Sequence, residues 1–395
     1  MEDRFAPPER FATASDQLHE VVASLVGSSD FGGDDYHWGL QVLLQSMDYD
    51  PAFSEHGRRV AWGELISALS SRAYALKSMT QHRGFDRHPI AKPVVITGIP
   101  RTGTTALHKL MAVDPQFQGL QSWLIGAPMP RPPRDTWESY PQFQQTVERL
   151  NRRYAATPAK RAAHNIVADE VDECVLVMRS TFVSNVWSCF WSAASYDAWW
   201  QTQSELPGYR YLHRVLQLIG SNDIGKRWLL KNPGHIANLD LLFSVFPDAM
   251  VIQTHRDPAK AIPSLCALLI QNHPVVEVGR QELRAQIMGQ RETAKWAKAV
   301  QDAEPVRHSH RGQILDVLHS EFHRDPMGVI RRIYAFIGMQ LSPEVAAAMA
   351  TRIEAAPELS HGAHRYVAAD FGLTGDGVRA RFGAYMHRFD LRESK

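Results

Sequence analysis

Apolar residues recur at mixed three- and four-residue spacing over residues 17–26 and again over 60–79, the pattern of helices with one buried face. Between them SSDFGGDD, residues 28–35, is a run of turn formers. Residues 1–90 are therefore predicted to be an N-terminal helical cap. The pattern changes at KPVVITG, residues 92–98, a short β-branched run bounded by Pro93 and Gly98. The chain then returns at once to helical spacing, with apolar positions at Leu107, Leu110 and Met111. Asp114-Pro115 stops that helix, and the proline-rich GAPMPRPPRDTW of residues 126–137 precedes a polar helix predicted over 142–154.

Residues 166–218 read as mainly helical, a helical insertion over about 120–220. Two more strands are predicted at RWLLK, Arg227–Lys231, and AMVIQTH, residues 249–255, with the helical IANLDLLFSVF between them. A fourth, QILDV at residues 313–317, follows a long amphipathic helix. Strands alternating with helices predict an α/β, P-loop-like three-layer fold over residues 91–395, its central parallel sheet covered on both faces.

Composition narrows the function classes. A chain of 395 residues with 44% hydrophobic content can bury a large core. A formal net charge of +1 without long single-sign runs argues against nucleic acid or an anionic membrane as partner. The opening MEDRFAPPERFATASDQ lacks a basic region followed by an apolar one, and no stretch is apolar enough to span a bilayer, so a cytoplasmic location is expected. Cys174, Cys189 and Cys266 lack metal-ligand or disulfide spacing, and no metal site is expected.

The first strand-loop-helix carries the chemistry. In GIPRTGTTAL, Gly98 and Gly103 keep the spacing of a phosphate-binding loop, whose backbone N–H groups and helix dipole favour an anion. Thr104 stands where a nucleotide kinase places its lysine, and of the usual Lys-Ser/Thr pair only Thr105 survives. A cation is supplied earlier in the loop by Arg101, whose planar fork suits a tetrahedral oxyanion.

GIPRTGTTALHKLMAVDP, residues 98–115, resembles the phosphosulfate-binding loop of sulfotransferases that use 3′-phosphoadenosine 5′-phosphosulfate (PAPS), in particular the bacterial branch with a PRTGTT signature. WLLKNPGHIANLDLLFSVFPDA, residues 228–249, is similar to that branch's LKSPxH element. VIQTHRDPAKAIPSL, residues 251–265, resembles its strand-turn-helix for the 3′-phosphate, and GAHRYVAADFGL, residues 362–373, its donor-closing loop. The resemblance covers roughly residues 90–390 in the right order. It implies transfer of a sulfuryl group from PAPS to an alcohol or phenol, with 3′,5′-diphosphoadenosine (PAP) as the second product.

By this resemblance Pro100, Arg101, Thr102, Gly103, Thr104, Thr105 and Ala106 would hold the 5′-phosphosulfate, and Arg256 with Ser264 the 3′-phosphate. Arg365 and Tyr366 would close over the nucleotide. Lys231 is the expected electrostatic catalyst, placed to follow charge onto the breaking bridge oxygen, with Arg101 assisting; Asn232 replaces the family's serine. The general base is either His235, four residues beyond Lys231, or Glu170, read here as part of a helix in ADEVDEC. FVSNVWSCFWSAASYDAWW, residues 182–200, lines an apolar acceptor pocket or is ordinary core.

Two rival functions use the same features. One is a magnesium-dependent nucleotide kinase or NTPase, with Asp316 imitating the metal-binding carboxylate; the missing lysine at Thr104 argues against it. The other is a non-catalytic nucleotide-binding protein. His255-Arg256-Asp257 imitates a kinase catalytic loop, but Ile262 stands where that motif needs Asn. The sequence leaves the oligomeric state open, a homo-oligomer included.

Overall fold

A computed structural model describes residues 5–156, 166–355 and 367–391. The chain divides into two units. One comprises residues 90–119, 225–270 and 282–395, the other residues 1–89, 120–224 and 271–281.

The first unit is built on a five-stranded sheet: β1 (Val94–Thr97), β2 (Phe117–Gln118), β3 (Arg227–Lys231), β4 (Met250–His255) and β5 (Ile314–Leu318). Their order is β2-β3-β1-β4-β5, all parallel. Val95 pairs with Leu230 on one side and Val251 on the other. The predicted central parallel sheet is present, with one strand more than expected. β2 escapes a periodicity reading because two residues carry no period.

Alternation sorts the strand residues onto two faces. Val94, Ile96, Leu229 and Ile252 pack with Leu107, Met111, Phe322, Ile330 and Ile333 from following helices. Val95, Leu230 and Val251, the alternate positions, are equally buried. Both faces are therefore covered, which is why these strands are continuous apolar runs and not alternating ones.

The second unit is helical. Helices Ser15–Val26, His37–Tyr49 and Glu55–Gln81 contribute Leu18, Leu40, Leu43, Trp62 and Leu65 to a core completed by Phe182, Trp187, Trp191 and Tyr196. The helix Glu55–Gln81 starts on a Ser54 cap, whose hydroxyl accepts the Gly57 N–H. Gly57 has a packing reason of its own. A Cβ there would lie 1.8 Å from the Val276 carbonyl oxygen.

Residues 166–174, expected to be helical, are extended and turned instead, and a helix begins only at Val175. Their backbone pairs with residues 120–123: Asp172 N–H donates to Leu120 O at 2.7 Å, and Ser122 N–H to Glu170 O at 3.2 Å. The Asp172 carboxylate takes the Ser122 hydroxyl and the Glu173 N–H, a local bonding that competes with helix. Four acidic residues in five positions gave no apolar stripe to oppose it.

Candidate active site at the carboxyl ends of the central strands

β1 ends at Thr97, β3 at Lys231 and β4 at His255, and these three strands are neighbours with β1 in the middle. The chain builds β2 and β3 to one side of β1 and then crosses to β4 on the other. In α/β sheets the crevice outside the strand ends at such a reversal receives ligands.

Threonines tie the three ends together. The Thr97 hydroxyl donates to the Asn232 carbonyl at 3.0 Å, and the Thr254 hydroxyl lies 3.3 Å from the Thr97 carbonyl. Thr102 and Thr254 hydroxyls bond each other at 2.6 Å, with the Ile99 carbonyl 2.8 Å from Thr102. The loop is thus anchored from beneath.

Its curvature comes from three left-handed residues: Gly98 at φ 143°, Arg101 at φ 69° and Gly103 at φ 91°. This is the geometry in which successive N–H groups turn toward a common anion. Gly98 has no alternative, since a Cβ would meet the Thr254 carbonyl oxygen at 2.4 Å. Arg101 is different. Its left-handed backbone costs on the order of 1 kcal/mol, a strain characteristic of ligand-binding turns.

Three cations converge on this loop. The Arg101 Nε donates to Ser264 Oγ at 3.1 Å, the Arg256 Nη1 donates to the Arg101 carbonyl at 3.0 Å, and the Lys231 Nζ donates to Thr105 Oγ1 at 3.1 Å. Lys231 is only 1% exposed although it ends a strand. Direct bonds therefore bring Ser264 and Arg256 to Arg101, and Lys231 to Thr105, while Thr102 is tied to Thr254. Pro100 is buried within the loop, and Ala106, on the helix Thr104–Met111, packs partly buried against the sheet core. Asn232 caps the turn Pro233–Asn238 through its side-chain oxygen, which accepts the Gly234 N–H.

Three histidines lie on the elements that follow these strands: His108 on the helix Thr104–Met111, His235 on the turn Pro233–Asn238 and His319 after β5. Burial pushes His235 down to about 3, and burial together with the Lys231 charge does the same to His108. His319, the first residue after β5, packs over Gly103, its Cδ2 3.5 Å from where a Cβ would stand. Burial, and then Arg256, His323, Lys260 and Arg101, push it to about 3. All three are neutral at neutral pH. An unfolded histidine titrates near 6.5, so below about that pH the unfolded chain takes up protons that these folded sites refuse. The penalty is absent above about 6.5 and grows toward 3, by up to about 1.4 kcal/mol per pH unit for each residue. Urea midpoints should be level between about pH 8 and 7 and fall clearly by about pH 5. A level midpoint down to pH 5 would contradict these three assignments.

Glu170 belongs to the helical unit, half-buried in the extended segment that pairs with residues 120–123. Arg365 and Tyr366 lie outside the described residues. The aromatic run is core: Phe182, Trp187, Trp191 and Tyr196 are fully buried among the helices of their own unit. Asp316 accepts both Nη2 bonds of Arg307 at 2.8 and 2.9 Å and the His255 Nε2–H at 2.8 Å, so its carboxylate is committed to cations and an imidazole. Sequence reading missed Thr254 and His319. The rule that singled out Lys231 and Arg256, residues at strand ends, applies to His319 as well once β5 is known to end at Leu318.

Residues 93–343 match the profile of the sulfotransferase family. The crystal structure of the sulfotransferase STF1 from Mycobacterium tuberculosis is 34% identical, with a TM-score of 0.85 over 95% of this chain and 100% of that one. The sulfotransferase STF9 from Mycobacterium avium is 26% identical, with a TM-score of 0.87 over 96% and 97% of the two chains. The omega-hydroxy-beta-dihydromenaquinone-9 sulfotransferase Stf3 of Mycobacterium bovis is 24% identical over 257 residues, an alignment spanning 62% of this chain and 63% of that protein. The loop, the strand ends that carry its cations and the sheet beneath them all fall within the matched residues, and the chain belongs to the sulfotransferase family.

Proposed function

We propose that the protein transfers the sulfuryl group of PAPS to a hydroxyl of a small hydrophobic acceptor. The observation that carries this reading is the strained, glycine-flanked loop with Arg101, Lys231 and Arg256 bonded into it. A triphosphate site would need a lysine at position 104, where Thr104 is buried at the start of the helix. A sulfuryl group carries less negative charge than a phosphoryl group, so the cations of the chain suffice without that lysine.

In this reading the loop N–H groups and Arg101 hold the 5′-phosphosulfate, and Arg256 with Ser264 holds the 3′-phosphate. The bond from the acceptor oxygen to sulfur forms as the bond from sulfur to the 5′-phosphate oxygen breaks, and the electron pair stays on the departing phosphate. Lys231, parked on the Thr105 hydroxyl, stabilises that charge. The hydroxyl proton goes to a base, for which His235 in its neutral form and Glu170 are the candidates. A hydrophobic acceptor draws its support from the relative that acts on an omega-hydroxylated dihydromenaquinone. No described helix is long and apolar enough to cross a membrane.

Thermal shift and product mass test the proposal together. PAP should raise the melting temperature without added metal, and incubation with PAPS and a panel of prenyl alcohols, sterols and phenols should give a product heavier by one SO₃. Stabilisation only by ATP with magnesium would favour a kinase instead. Binding of PAP with no product from any acceptor class would favour a non-catalytic role.

A further inference from the structure

His255 and Asp257 flank Arg256 in a triplet that looked like a kinase loop, and the bonds around them show another use. The Tyr385 hydroxyl lies 3.1 Å from His255 Nδ1, and His255 Nε2 lies 2.8 Å from Asp316 Oδ1. Burial pushes Asp316 up, but bonds from His255 and Arg307 outweigh it and hold the carboxylate ionised. An ionised Asp316 requires the proton of His255 on Nε2, which makes Nδ1 an acceptor for the Tyr385 O–H. The chain has one direction: Tyr385 O–H to His255, His255 N–H to Asp316.

On the other side of Arg256 the same C-terminal segment grips again. Asp257 Oδ1 accepts the Ala259 N–H and so caps the helix Pro258–Leu269 that carries Ser264. Its Oδ2 accepts Arg379 Nε at 3.1 Å and Nη2 at 2.7 Å. His255 is stacked on Phe389 with ring centroids 3.8 Å apart. His255 and Asp257 are both buried, and their side chains bond to these partners and not to water. Arg256 itself turns the opposite way, its guanidinium bonded to the carbonyl of the strained Arg101.

We propose that Tyr385 and Arg379 are positioning residues for the donor: by clamping both neighbours of Arg256 they hold its guanidinium against the anion loop. Neither touches the donor in this account. The inference rests on the assignment of Arg256 to the donor's 3′-phosphate made above. Tyr385→Phe keeps the ring and removes only the hydroxyl, leaving the buried His255 Nδ1 without the O–H it accepts.

The test uses the full chain: PAP affinity is read by calorimetry, and the donor KM and kcat by turnover with an accepted alcohol. Tyr385→Phe should weaken PAP about tenfold and raise the donor KM by the same factor, with kcat at saturating donor and the acceptor KM within about twofold of wild type. Arg379→Met should show the same split. Tyr334→Phe, which removes another buried hydroxyl, one that donates to Asp114, serves as the control for general loosening and should leave PAP affinity unchanged. Wild-type PAP affinity in Tyr385→Phe, or equal weakening in Tyr334→Phe, would overturn the clamp. A wild-type protein that fails to bind PAP would remove the donor assignment itself, and the clamp's purpose with it.

Discussion

Lys231→Met should lower kcat about a thousandfold while changing PAP affinity by less than about fivefold. Methionine retains the length of the stem and removes only the ammonium, so the buried position keeps its packing. The size of the effect follows from where charge develops. A single preorganised donor at a developing oxyanion is worth about 3–4 kcal/mol, or two to three decades in rate. The ground state has less to lose, because Lys231 already holds the Thr105 hydroxyl and exchanges one partner for another as the reaction proceeds. Turnover of Lys231→Met equal to wild type, measured on protein of unchanged melting temperature, would remove the electrostatic role. A parallel loss of donor affinity would move Lys231 from transition-state to ground-state binding.

Arg256→Ala should weaken PAP about a hundredfold or more, the reverse split. A guanidinium bonded to a phosphate contributes about 1.5–3 kcal/mol per charged hydrogen bond. The truncation also releases the Arg101 carbonyl, which Arg256 Nη1 holds at 3.0 Å, and so loosens a left-handed residue that only its surroundings keep in place. Arg256→Lys restores the charge without the planar fork and should recover about a tenth of the lost affinity on a logarithmic scale at most. Titrating PAP calorimetrically at two salt concentrations checks both statements. The wild-type affinity should fall more steeply with salt than that of Arg256→Ala, since one phosphate-facing cation is gone. Unchanged PAP affinity in Arg256→Ala would place the 3′-phosphate elsewhere.

Lys231 and Arg256 were legible before any fold because both stand immediately at or after an apolar β-branched run, where a parallel sheet presents side chains to ligand. Glycines at positions 98 and 103 were legible for the same local reason: only a left-handed turn needs them there. The helix expected around Glu170 was misplaced because acidic residues without an apolar stripe do not report which backbone partner they will meet. That partner, residues 120–123, lies some fifty positions earlier in the chain. The aromatic run of residues 182–200 could be described by composition alone but not assigned to pocket or core, since burial depends on what the other helices bring against it.

Local order was written in the chain: the strand-loop-helix, the cations at strand ends, and the alternation that makes a parallel sheet, all of which depend on neighbours within a few residues and on the period of side-chain direction. Tertiary structure decided the rest. It set Ser264 against Arg101, the Arg256 guanidinium against the Arg101 carbonyl, and the hydroxyl of Tyr385 against His255, residues up to 163 positions apart in the pairs whose separation decides the site. It also made three histidines neutral. A side chain's charge in the fold depends on the water it has lost and the charges it has met, and neither quantity exists until distant segments pack.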